Sequence, residues 1–190
     1  MFSKYKGRFG YLKKQPIRLG LMALAVIISS VGIFLIGYIN KGDSKNILSL
    51  VAVLGMLPAA KLIVSFIIQM RAEKYTCPKD LYEKSEEILK DSEIVHGYDF
   101  YLTSYKENFP APMVSIADGQ ILVLLTSSKN LNKECKEHIE KYLATNSING
   151  YKPAIFDKDS KYFDRLSVVC KNEVNEQDYV VMALIKNLSL

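Results

Sequence analysis

Acidic side chains are almost missing from the first 70 residues, where Asp43 stands alone, and the 190-residue chain has only two histidines. The first shortage makes the N-terminal third strongly basic. The second excludes most catalytic and metal sites built on several imidazoles. Cysteine is also sparse: Cys77, Cys135 and Cys170 are odd in number and far apart, which argues against a disulfide framework and fits a reducing compartment. No glycine-rich phosphate loop, Ser-His-Asp order or paired-cysteine motif is present. The net charge of +5 conceals two unlike parts, because residues 71–190 carry 19 acidic and 16 basic groups and are net −3. That balance argues against a general nucleic-acid surface. Neither a nucleic-acid partner nor a cofactor is expected.

What the sequence has in abundance is uninterrupted apolar length. Residues 19–39 are 21 positions without a charge, enough at ~1.5 Å per residue to cross a ~30 Å hydrocarbon core. Residues 47–70 are 24 positions with a single charge. A secretory signal has a shorter apolar core and a small-residue cleavage site, so the first run is expected to be retained. Between the runs, residues 40–46 are polar and short, as a tight helical hairpin requires. The expected architecture is a basic segment 1–18, a two-helix transmembrane hairpin over 19–70 and a soluble domain over 71–190. Lys4, Lys6, Arg8, Lys13, Lys14 and Arg18 precede the first helix with no acid among them, whereas the hairpin turn offers only Lys41 and Lys45. The protein is expected to be a multi-pass protein of the cell membrane, and by the positive-inside rule both termini are expected in the cytoplasm. Phe2, Tyr5, Phe9 and Tyr11 interleave the basic residues in a composition suited to lying on anionic membrane lipids, although topogenic charge alone accounts for the lysines and arginines.

Lys61 lies close to the centre of the second run, where a lysine costs roughly 2.5–3.5 kcal/mol. The first helix supplies no carboxylate, and its strongly polar side chains are Ser29 and Ser30. Pro58 lacks an N–H and frees the Leu54 carbonyl, so a kink is expected there. The small residues Ala52, Gly55 and Ala59 form a separate ridge suited to close helix packing. Lys61 admits three accounts: it snorkels or caps the kink, it meets a carboxylate or carbonyl of another chain, or it lines an ion path. Two helices with one basic group are too few for a self-contained transporter core.

In the C-terminal portion, Asp80 with Glu83 three residues later predicts a helix start before residues 81–90. Residues 94–104 read as a strand, and the prolines of 108–112 are expected to interrupt the extended chain beyond it. Asp118-Gly119 between two apolar runs predicts a type I′ hairpin over 113–126, its second strand central because it is apolar on both faces. An amphipathic helix is expected over 132–146, a short strand over 152–157, and a helix or strand over 178–188. Asp157, Asp159 and Asp164 lack the spacing of a calcium loop and are expected in a solvated loop. Cys135 and His138 lie at i, i+3 but lack two further ligands, so no metal site is expected. The fold class is a small α/β (α+β) domain with a mixed sheet, behind a membrane hairpin.

The order of helix, Asp-bearing strand and hairpin over about 50 residues resembles the core of restriction-endonuclease-like nucleases. That resemblance implies a divalent-cation site using Asp99 or Asp118 with Lys129. Where the family carries an acidic residue, any residue and lysine, this chain reads Ser127-Ser128-Lys129. Its implication is therefore a degenerate nuclease fold. Three functions compete: a non-enzymatic membrane-tethered adaptor or complex subunit, associating with another membrane protein or with itself; a membrane-anchored metal-dependent hydrolase; and an anchor domain that senses lipid or small ligands.

Overall fold

The computed structural model describes residues 5–43, 46–90, 92–126 and 131–190, with only the backbone of Lys41. Contacts divide the chain into two compact units: Lys13–Lys74, and a sheet unit made of the residues through Leu12 together with Tyr75–Leu190. Six helices and four strands are described: two long apolar helices near the N-terminus, then a mixed sheet with four helices.

Helix α1 spans Tyr11–Lys41 and α2 spans Ile47–Glu73. Gly42, at φ 66°, ends α1 in the left-handed conformation, donating its N–H to Tyr38 O at 2.8 Å. Asn46 starts α2 by accepting the Ser49 N–H at 2.9 Å and donating to Asp43 O at 2.7 Å. Within Lys13–Lys74, Ala52 and Ala59 are buried, and a Cβ on Gly55 would meet Ser30 Oγ at 2.8 Å. Likewise Gly20 faces the Phe66 ring and Gly37 faces Leu48. These pairs fix an antiparallel register in which small residues let the backbones approach. Pro58 sits inside α2, which runs without interruption from Ile47 to Glu73.

The sheet unit has strands β1 (Val95–Thr103), β2 (Asn108–Ala117), β3 (Gln120–Leu124) and β4 (Lys152–Phe156), in the order β1-β2-β3-β4. The first two pairings are antiparallel and β3–β4 is parallel. Asp118 and Gly119, at φ 49° and 70°, form the two-residue turn with both central residues left-handed, as the Asp-Gly signature predicts. Helices α3 (Lys79–Leu89) and α5 (Asp159–Val169) contribute Leu81, Leu89, Tyr162 and Leu166 to one core layer. Helices α4 (Asn132–Thr145) and α6 (Glu176–Leu188) contribute Cys135, Ile139, Val181 and Ile185 to the layer on the other face.

Three expectations need correction. Residues 108–112 do not break the sheet but form the first half of β2. Pro110 accepts the Thr126 N–H on its carbonyl at 3.0 Å, beyond the last paired residue of β3, so its nitrogen faces a position where no ladder donor is needed. The solvated loop expected around Asp157–Asp164 is largely helix α5, which buries Tyr162, Phe163, Leu166 and Val169. Helix α3 begins one residue before Asp80, behind Pro78 and with no side-chain cap, which leaves Asp80 in the first turn, favourably placed at the positive end of the helix dipole.

The alternation of faces along β1 and β2 breaks at one level. On β1, Val95 lies in the α4/α6 layer and Tyr98 in the α3/α5 layer, yet Phe100, with the parity of Tyr98, falls back in the α4/α6 layer. On β2, Ala111 and Met113 differ in the same way. Pairing keeps one register across the break, from Tyr98↔Met113 to Phe100↔Ala111. The residue between on β1 is Asp99, at φ 58°, and the residue opposite it is Pro112, which has no N–H to offer.

Candidate functional site

Asp99 is the most unusual residue of the sheet unit. It is 1% exposed and left-handed, and its Oδ1 accepts the Cys77 N–H at 2.7 Å. The backbone N–H groups of Gly10, Tyr11 and Leu12, where α1 begins, also act on this carboxylate, while Oδ2 lacks a hydrogen bond of good geometry. Burial pushes the Asp99 carboxyl above the ordinary carboxylate range, and the four amides pull it back only in part. One side chain therefore holds the chain segments on either side of Lys13–Lys74. Its position suits binding backbone amides and keeps it away from solvent.

The N-terminal residues run along the outer edge of β1. Tyr98 donates its N–H to Gly7 O at 3.0 Å. Phe9 stacks on Tyr82 with ring centroids 4.1 Å apart and meets Tyr98 edge-on at 6.3 Å. Beneath these rings the Tyr98 hydroxyl donates to Glu86 Oε1 at 2.6 Å and lies 3.0 Å from Ser85 Oγ, with His96 Nε2 3.7 Å from the same carboxylate oxygen. Burial and the bond to Glu86 raise the Tyr98 pKa. The C-terminal residues cover the rest of the edge, where Leu190 N–H donates to Tyr101 O and Tyr101 N–H donates to Ser189 Oγ. Lys6 Nζ joins the two segments by donating to Ser189 O, and burial lowers its pKa. These contacts occupy edge groups of a strand that would otherwise offer a template for another chain.

The other residues singled out by sequence fall in separate places. Asp118 sits in the β2–β3 turn and accepts a bond from Asn172 Nδ2 at 3.0 Å. Extending the β1–β2 register puts it level with Glu93, six residues or ~20 Å from Asp99 along the strand direction. Lys129, with Ser127 and Ser128, and Lys4 lie outside the described residues. Cys135 is buried and its thiol is pushed up to about 12 by desolvation, while His138 Nε2 contacts Thr103 O at 3.1 Å. No group of three metal-ligating side chains occurs among the described residues. Arg8 lies over the Tyr5 ring, and Lys13, Lys14 and Arg18 are exposed on the first turns of α1.

Lys61 is exposed on α2, and among the described residues its ammonium has no hydrogen bond or ion pair. Ser65 Oγ, one turn on, donates to the Lys61 carbonyl at 2.9 Å. Sequence reasoning singled out Lys61, Asp99 and the small-residue ridge of Ala52, Gly55 and Ala59, but it missed the amides around Asp99 and the Tyr82–Glu86–Tyr98 cluster. Compared with family models, curated proteins and solved structures, the chain matches none.

Proposed function

We propose that the protein is a non-enzymatic, membrane-tethered adaptor or small subunit of a membrane complex. In this reading α1 and α2 cross the bilayer, the turn around Gly42 lies outside, and the sheet unit with both termini stays in the cytoplasm. The candidate spans of 30 and 27 residues exceed what a ~30 Å core needs, and only 17% and 11% of their most apolar windows is buried, unlike the core helices of a soluble domain. The end of the α1–α2 pair that holds Lys13, Lys14, Arg18, Arg71 and Lys74 is the basic one, which supports that orientation and contact with anionic lipid headgroups.

The observation that carries the subunit reading is Lys61, exposed in the middle of α2 without a partner among the described residues. Native mass spectrometry of the full-length protein, gently extracted from its own membranes, tests it. The expected result is a defined stoichiometric assembly for the wild type that is lost in Lys61→Leu. A monomer in both would refute the reading.

A further inference from the structure

Lys61 follows the fully buried Ala59 by two residues, which at 100° per residue turns it ~200° around α2, to the side away from α1. It stands in an exposed stripe with Leu50, Leu54, Leu57, Val64 and Ile68. Their spacing alternates three and four, as in a helix seam. On a helix this rich in apolar residues every stripe is largely apolar, so the selective feature is the single ammonium at a seam position.

We propose that this face of α2 packs against a membrane helix of a different protein, and that a carboxylate of that helix pairs with Lys61. The inference rests on the membrane-subunit reading. One observation and two physical arguments carry it. Between residues 13 and 74 the only acids are Asp43, in the turn, and Glu73, at the end of α2, so no carboxylate of this chain reaches the middle of the pair. A second copy inserted the same way would be parallel, and in-register pairing would set Lys61 against Lys61, which like charge disfavours. Mid-core depth is ~15 Å from either interface, further than a lysine stem carries its ammonium. A partner acid at the matching depth neutralises the charge and fixes the register, as a single polar seam residue does in coiled coils.

The test treats native membranes with dicyclohexylcarbodiimide, which enters apolar sites and condenses a carboxylate with an adjacent amine to an amide, taking up the water removed as the urea. Mass spectrometry should locate an amide from Lys61 to an Asp or Glu within an apolar segment of another chain. In native mass spectrometry Lys61→Gln should lower the assembly by roughly tenfold or more and Lys61→Arg by clearly less. An assembly that persists undiminished in Lys61→Gln, or a Lys61 amide within this chain or a second copy, overturns the carboxylate inference and leaves the subunit reading standing. A monomeric wild type removes both. The substituted side chain faces away from α1, so the fold of the pair is not at stake in these variants.

Discussion

Replacing Asp99 with alanine should loosen both segments that its carboxylate holds. The Cys77 N–H, now hydrogen bonded at 2.7 Å in a buried setting, would be left without its acceptor at about 1–3 kcal/mol. The first amides of α1 would lose their negative group, worth about 1 kcal/mol as for a lost helix cap. Removing a buried charge returns part of its desolvation penalty, so a net loss of about 2–3 kcal/mol remains. Hydrogen–deuterium exchange on the full-length protein in detergent reads this segment by segment. Exchange in residues 5–12 and 75–78 should rise roughly 30- to 160-fold, with 120–124 in β3 much less affected. Asp99→Asn keeps an acceptor and tolerates φ 58°, so it should lose less, whereas Asp99→Gly lacks the carboxylate as Asp99→Ala does and differs from it only in relieving the backbone strain. Unchanged exchange in both segments, or full recovery in Asp99→Gly, would refute the hydrogen-bonding argument. The pH dependence has a definite sign. Because the folded-state pKa is raised above 3.8, the native state holds the proton more tightly, so Asp99's contribution is fully present below that value. It is lost as pH rises through the raised folded value. The stability advantage of wild type over Asp99→Asn should therefore shrink across that window and level off above it.

Other perturbations probe the packing. Gly55→Leu drives a side chain into Ser30 Oγ and should destabilise the helical pair by about 1–3 kcal/mol in thermal melts followed at 222 nm, whereas Gly32→Leu, with nothing within 4 Å of its Cβ, should not; equal shifts would reject the close approach. Desolvation, with nearby carboxylates at Cys77, pushes the Cys77 and Cys135 thiols up to about 12, so iodoacetamide at pH 8 should label Cys170 alone in the folded protein and all three cysteines in denaturant. Labelling of Cys77 as fast as Cys170 would contradict its burial. Asp178→Ala removes an acceptor used by Asn175 N–H at 2.9 Å and Tyr151 OH at 2.7 Å and dismantles the α6 capping box, with an expected loss of about 2–3 kcal/mol in urea unfolding. A loss below about 0.5 kcal/mol would mean that water replaces both bonds.

Local chemistry was legible in the sequence wherever neighbours along the chain decide the structure. The Asp118-Gly119 turn and the two long apolar helices are of this kind. Helix α5 was misread as a solvated loop because the charges from Asp157 to Lys161 mask the helical spacing of Tyr162, Phe163, Leu166 and Val169. The place of the N-terminal segment and the partners of Asp99 were not legible, because the amides that meet this carboxylate come from residues 10–12 and 77, far from it in sequence. Asp99 stood as a candidate catalyst only through the resemblance to restriction-endonuclease-like nucleases. Here the left-handed backbone at Asp99 coincides with the level where β1 and β2 exchange faces, and the strict two-residue alternation on which strand reading relies fails at the same point. The carboxylate offered as a candidate catalyst accepts the amides of two remote segments, so its first test belongs to stability and exchange before catalysis.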